Sequence, residues 1–195
     1  MHIPHSLAPI LASIAEQSAA EMGIPMTIAI VDERGSLQFY LRMDGALPAS
    51  MEIAVSKAYT SAILRMPTHT LGQLAVPGEK LHGIQNTHQG KIILFGGGFP
   101  LQLHGEVVGA IGISGGSVEQ DMRVAQLVLD RLTEIEHWAE RICLLLPGDA
   151  SRRLKWPVNL ENELWEALQL SVRPLSFEFV SVLKGALILA LEGGL

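Results

Sequence analysis

Apolar residues recur at helical spacing in four segments of the chain. The first segment places Leu7, Leu11 and Ile14 on one face, and Gly23 follows as a typical helix end. The last segment begins with Ser117 and Gln120, which have the spacing of a capping box. The pattern predicts helices at about residues 6–22, 48–66, 68–77 and 118–142.

Between these helices lie five short apolar segments that are typical of β-strands. The second segment alternates apolar and polar residues from Leu37 to Arg42, so one of its faces is expected to contact solvent. His104 and Gly105 form a two-residue turn of the kind that joins antiparallel strands. The five predicted strands cover about residues 26–31, 37–42, 91–95, 101–104 and 107–113. This order of elements predicts an α+β fold, in which helices flank an antiparallel sheet.

The segment from Phe95 to Asp121 is rich in glycine, and it holds the last two predicted strands and the start of a helix. Glycine has no Cβ and adopts positive φ at low cost, so such segments occur where a ligand or another backbone comes close. We therefore expect this segment to form the floor and rim of a small-molecule pocket. A bulge or corner of the sheet is the alternative explanation for residues 96–98.

The character of the chain changes after Leu146. Residues 147–151 have the composition of a linker, and residues 177–191 are almost wholly apolar. The sequence therefore predicts one domain at residues 1–145 and a C-terminal extension at residues 146–195, which is helical or disordered and whose role is open. The apolar part of the extension is too short to span a bilayer, so it is expected to be buried.

Composition and charge restrict the classes of partner. The chain has 195 residues, a formal net charge of −6 and a single cysteine, Cys143. A surface without basic runs does not attract nucleic acid or anionic membranes, so neither is predicted as a partner. One cysteine excludes an internal disulfide framework, and the N-terminal residues lack the pattern of a secretory signal peptide. These properties predict a cytoplasmic protein.

Three groups of residues are candidates for chemistry. Lys57 and Thr60 lie one turn apart on a predicted helix and could hold a carboxylate, although a solvated helix face explains the same spacing. Ser114 lies in a G-x-S-x-G pattern, but the packing of a strand end explains that pattern better than a hydrolase nucleophile does. His82 and His88 lack the further residues of a zinc site, so hydrogen bonding is favoured for both.

Four motifs follow one another in the order of a known family. They are IVDERG, the KAYT segment at residues 57–60, FGGGFPL and VVGAIGISGGSVEQD. On these motifs, the chain resembles the GlcG/HbpS/PduO family of haem-binding-type proteins over about residues 7–138. It is most similar to the C-terminal domain of PduO-type proteins and to stand-alone relatives from diol and glycerol gene clusters. The resemblance implies a profilin-like α+β fold with a five-stranded antiparallel sheet, dimers that often assemble into octamers, and non-covalent haem binding in some members.

The resemblance also implies which residues face the ligand. The family's motifs map onto Lys57, Thr60, Gly96, Gly97, Gly98, Pro100, Ser114 and Gly115. It does not map an axial ligand of haem iron; His5 and His88 are candidates because histidine is a common haem ligand. No part of the chain resembles the adenosyltransferase domain of PduO, so that activity is not predicted.

Three functions remain open on the sequence. The resemblance favours a haem- or tetrapyrrole-binding accessory protein of a cobalamin-linked diol or glycerol pathway, in the cytoplasm or associated with a bacterial microcompartment. The second is a small enzyme for an organic acid or carbonyl compound, in which Lys57 binds the carboxylate and the N–H groups of residues 96–98 stabilise an oxyanion. The third is an oligomeric structural protein whose apolar extension recruits partners. An enzyme is the less favoured class.

Overall fold

The computed structural model describes residues 2–145 and 177–191, which contain five α-helices and four β-strands. In chain order, the elements are α1 (Leu7–Glu21), β1 (Thr27–Asp32), β2 (Leu37–Arg42), α2 (Ser50–Leu64), α3 (Thr68–Leu74), β3 (Gly98–Leu103), β4 (Glu106–Ser114), α4 (Val118–Leu145) and α5 (Phe177–Leu191). Two short 3-10 turns, Ile84–Asn86 and His88–Gly90, lie between α3 and β3. Residues up to Thr133 form one compact unit, and residues from Glu134 on form a second.

The four strands form one antiparallel sheet in the order β2-β1-β4-β3. The two central strands, β1 and β4, are buried along most of their length, whereas β2 lies at an edge and is exposed or half-buried throughout. The α+β class with an antiparallel sheet and flanking helices is confirmed. The prediction of five strands is wrong for the described part of the chain, which has four.

The missing strand is the one predicted at residues 91–95. The backbone here is irregular because a helix side chain, rather than a neighbouring strand, satisfies it. The Ile93 N–H donates to Thr60 Oγ1 at 3.0 Å, and the Thr60 hydroxyl lies 3.2 Å from the Lys91 carbonyl oxygen. Ile92 is 3% exposed, Ile93 and Leu94 are half-buried, and Phe95 is 42% exposed. The apolar composition of this segment therefore reflects partial burial in a segment that does not join the sheet.

Helix α2 lies close to the sheet because the contact is built from small residues. Ala54, Ala58 and Ala62 are buried against Ala29 and Ala110 of the central strands. At Gly112 the approach is closest, since a Cβ there would overlap the Ala54 carbonyl oxygen. Met51, which has the same helical spacing as these alanines, is 44% exposed.

Local signals in the sequence predicted the ends of several elements. The β3–β4 hairpin turns at His104 and Gly105, whose φ values of 51° and 77° are those of the expected primed turn. At the start of α4, the Ser117 N–H donates to Gln120 Oε1 at 2.8 Å, and the Gln120 N–H lies 3.3 Å from Ser117 Oγ. Both the hairpin and the capping box are therefore confirmed.

In the second unit, the apolar segment of the extension forms helix α5. Val182, Ala186 and Leu189 are buried there, and a Cβ on Gly185 would lie 2.7 Å from Ile135 Cδ1. None of the helices within the described residues is long and apolar enough to cross a membrane. Residues 146–176, the first part of the predicted extension, lie outside the described residues.

Candidate functional site

The centre of the glycine-rich segment is a buried ion pair between α2 and α4. The Lys57 side chain is 0% exposed, and its Nζ lies 2.7 Å from Asp121 Oδ2. The same ammonium group donates to the Ile113 carbonyl oxygen at 2.8 Å. The centroid of the Phe95 ring, a residue that is 42% exposed, lies 5.0 Å from Lys57 Nζ, within the range of a cation–π contact. One side chain thus joins α2, the end of β4 and the first turn of α4.

The Asp121 carboxylate is held by backbone groups as well as by Lys57. Its Oδ1 accepts the Gly116 N–H at 3.0 Å, and the Gly115 N–H contributes a further bond. Burial raises the pKa of Asp121 and lowers the pKa of Lys57, because both charged groups lose their hydration. The attraction between the two groups opposes both pKa shifts. It offsets only part of the free energy that burial of the two charges costs.

The absence of side chains at residues 96–98 is explained by close packing against this pair. Gly97 has φ of 112°, and a Cβ there would lie 2.7 Å from both Lys57 Nζ and the Ile113 carbonyl oxygen. A Cβ on Gly98 would lie 2.6 Å from the Lys57 carbonyl oxygen, and one on Gly96 would overlap Met122. These glycines therefore allow the backbone before β3 to pass directly over α2 and α4.

The remaining predicted ligand residues lie around this cluster. Thr60 is fully buried and donates to the Ser56 carbonyl oxygen at 2.7 Å, and Pro100 is buried in the edge strand β3, where a missing N–H is tolerated. Ser114 is 6% exposed and ends β4 opposite Thr27. A Cβ on Gly115 would lie 2.6 Å from the Pro25 carbonyl oxygen.

The structure thus brings Lys57 and Gly97 into direct contact, while the two candidate histidines lie elsewhere. His5 is exposed just before α1, and His88 is exposed in the loop before β3. His88 Nδ1 lies 3.0 Å from the Tyr59 hydroxyl. Within the described residues, no group of three or more His, Cys, Asp or Glu side chains is placed to hold a metal ion.

Sequence reasoning missed Asp121 as the partner of Lys57. No motif links Asp121 to a lysine 64 positions earlier in the chain. The alternative of a solvated helix face is wrong for Lys57 and Thr60, since both are 0% exposed. The segment at residues 91–98 packs on this side of α2, where the Ile93 N–H bonds to Thr60 and a Cβ on Gly97 would lie 2.7 Å from Lys57 Nζ.

The existing hydrogen bonds of Lys57 limit what the cluster can bind. Two of the three N–H bonds of the Lys57 ammonium are directed at Asp121 and Ile113, so a ligand carboxylate would compete with a buried partner at 2.7 Å. The cluster therefore acts as a brace that orients the start of α4 and the entry to β3. A role of its residues in ligand binding stays a prediction.

Comparison with known proteins identifies the family. The model of the family described as haem-degrading HbpS-like proteins matches residues 3–130, which is well over half of the chain. The chain belongs to the HbpS-like family. This match confirms the family predicted from the motifs, and it includes Lys57, Asp121 and every glycine of the cluster described above.

Two similar sequences and one solved structure define the relationship further. An uncharacterised 15.0 kDa protein from the dhaT–dhaS intergenic region of Citrobacter freundii is 42% identical over 125 residues, which are 64% of this chain and 88% of the relative. The corrinoid adenosyltransferase PduO of Salmonella typhimurium is 40% identical over 119 residues, which are 61% of this chain but only 35% of PduO. The crystal structure of a PduOC–haem complex superposes with a TM-score of 0.64 at 37% identity, covering 67% of this chain and 94% of PduOC.

Proposed function

We propose that this protein binds haem or a related tetrapyrrole non-covalently and serves as an accessory protein of a cobalamin-linked diol or glycerol pathway. The observation that carries the proposal is the 37% identity to PduOC, a protein solved with haem, over 94% of that protein's length. The family description as haem-degrading HbpS-like proteins points to the same ligand.

The donor groups of the first unit fit haem better than a free metal ion. Haem iron already has four ring nitrogens, so it needs only one or two axial ligands from the protein. The exposed imidazoles of His5 and His88 are suitable ligands, and the exposed ammonium of Lys91 suits a propionate. Bound haem would supply an iron centre for redox or gas-ligand chemistry, and this chain would supply binding and orientation.

The proposed pathway follows from the relatives. One is encoded between dhaT and dhaS, and another is PduO, of which this chain matches 35%. We propose that this chain has no adenosyltransferase activity, since it covers only 35% of PduO and none of its motifs resembles those of the adenosyltransferase domain. A cytoplasmic location, association with a bacterial microcompartment, and assembly as dimers to octamers belong to the same proposal.

Titration of the purified chain with haem tests this function. We expect a shifted Soret band that saturates at a fixed haem-to-protein ratio. Iron-free protoporphyrin is the matched control, because it presents the same ring and propionates without an axial coordination site. A Soret band that grows linearly with added haem, without saturation, would contradict the proposal.

A further inference from the structure

One surface site in the first unit combines an exposed imidazole with an aromatic and a cationic neighbour. His88 Nδ1 lies 3.0 Å from the Tyr59 hydroxyl, and the two rings meet edge to face with centroids 5.9 Å apart. Lys91 Nζ lies 5.8 Å from the centroid of the Tyr59 ring. Three side chains therefore converge on the loop before β3, and none of them belongs to the Lys57–Asp121 pair.

The backbone at this site is held in an unfavourable conformation. His88 and Gln89 have φ values of 52° and 58°, in the left-handed region, although neither is glycine and Gly90 follows directly. Such residues cost free energy and concentrate at binding sites, where the surrounding structure enforces them. Tyr59, which contacts His88, is itself packed tightly, because a Cβ on Gly35 would lie 2.6 Å from Tyr59 Cδ2.

The hydrogen bond to Tyr59 determines which nitrogen of His88 is available. With Nδ1 engaged, Nε2 is the ring nitrogen left to bind a ligand. In the tautomer whose Nδ1–H donates to the phenol oxygen, Nε2 carries the lone pair. Histidines that bind metals share this arrangement, because a hydrogen bond to the second nitrogen fixes both the tautomer and the ring orientation.

The number of protein side chains that could bind a metal at this site indicates which kind of metal centre fits there. A free zinc or similar ion needs three or four protein ligands, and the described residues hold no group of three His, Cys, Asp or Glu side chains. Haem iron needs only one axial imidazole, and its propionates are anionic groups that a lysine ammonium attracts. One oriented imidazole beside an exposed lysine therefore matches a metalloporphyrin.

We propose that His88 ligates haem iron through Nε2, that Tyr59 positions its ring, and that Lys91 pairs with a propionate. This inference rests on the proposed haem binding and assigns the residues that perform it. It also gives the strained backbone at His88 a reason, since the left-handed conformation presents the imidazole toward solvent while Tyr59 holds it.

The test is a haem titration of the full chain and of single variants, followed by absorbance spectra of each complex. His88→Asn is the main variant, because asparagine tolerates left-handed φ and preserves the loop. We expect it to weaken haem binding by at least about tenfold and to remove the imidazole-ligated spectrum, which added imidazole restores. Tyr59→Phe keeps the imidazole-type spectrum but weakens binding by about tenfold, as loss of an orienting partner does.

His82→Asn is the matched control, because this histidine is exposed and also has its Nδ1 near a carbonyl oxygen, that of Ala75 at 3.2 Å. This control is expected to bind haem like the unmodified chain. If the unmodified chain binds haem and His88→Asn has the same affinity and spectrum, the assignment of His88 is wrong while haem binding stands. If His82→Asn loses the imidazole-ligated spectrum instead, the assignment of His88 is also wrong. If the unmodified chain does not bind haem, the proposed function and this inference fail together.

Discussion

At the scale of single residues, Lys57 shows how strongly a role depends on positions far away in the chain. Its spacing on α2 matched either a carboxylate-binding group or a solvated side chain, and neither interpretation includes full burial beside Asp121. A lysine is rarely buried without a partner, so its burial can be predicted only when the partner is known. That partner comes from another helix, and Gly97 must lack a side chain for the pair to form.

Removing one member of the pair is expected to be costly. Lys57→Met should lower the free energy of unfolding by about 3–5 kcal/mol, because it leaves the Asp121 carboxylate buried without its cation. Adding Asp121→Asn removes the second charge and keeps an oxygen for the Gly116 N–H, so the double variant should recover much of the loss. Urea denaturation followed by circular dichroism measures the unmodified chain, Lys57→Met, Asp121→Asn and the double variant.

The control for this cycle is Lys91→Met, which removes an exposed lysine and should change the free energy of unfolding by no more than about 0.5 kcal/mol. Strictly additive losses at Lys57 and Asp121 would show that the two groups do not act as a pair.

At the scale of elements, the reliable predictions were those whose interactions lie within a few residues. The His104–Gly105 turn and the capping box at Ser117 depend on contacts of one to three positions, so a short sequence window contains all the groups involved. The strand predicted at residues 91–95 failed for the opposite reason. Ile92 in this segment is buried, but the backbone of the segment is bound by Thr60, 31 to 33 positions earlier.

The capping box offers a measurable test of this local control. Ser117→Ala should lower the free energy of unfolding by about 1 kcal/mol, because the Gln120 N–H loses its acceptor at the start of α4. Ser36→Ala, at an exposed turn, is the matched control and should have little effect. Combining Ser117→Ala with Gln120→Ala should cost less than the sum of the single changes, since the two side chains cap the helix reciprocally. Thermal denaturation gives the comparison, and equal losses at Ser36 and Ser117 would refute the cap.

At the scale of the whole molecule, the family match ends at residue 130, and the most apolar helix, α5, lies beyond it. The PduOC structure, solved with haem, matches 67% of this chain, so a related domain binds its ligand without needing the rest of this sequence. Recruitment of partners through the extension stays a separate hypothesis with its own test.

Deletion of residues 147–195 tests whether the extension contributes to haem binding or to assembly. We expect the shortened chain, residues 1–146, to keep its secondary structure, its haem affinity and its oligomeric state, because the groups proposed to bind haem precede Thr133. Haem titration and analytical ultracentrifugation of both lengths provide the measurement. A shortened chain that binds haem normally but dissociates into smaller species would instead assign assembly to the extension.

By itself, the sequence determined the helices, the hairpin, the helix cap and the family, because each depends on local spacing or on short motifs read in order. Tertiary structure decided the strand count, the burial of Lys57 with Asp121, and the meeting of His88 with Tyr59. These features arise from contacts between residues 29 to 64 positions apart, and the energy of such a contact depends on how the intervening elements pack. The sequence predicts that the glycines at residues 96–98 line a pocket. In the structure, the backbone at these glycines passes close to α2 and α4.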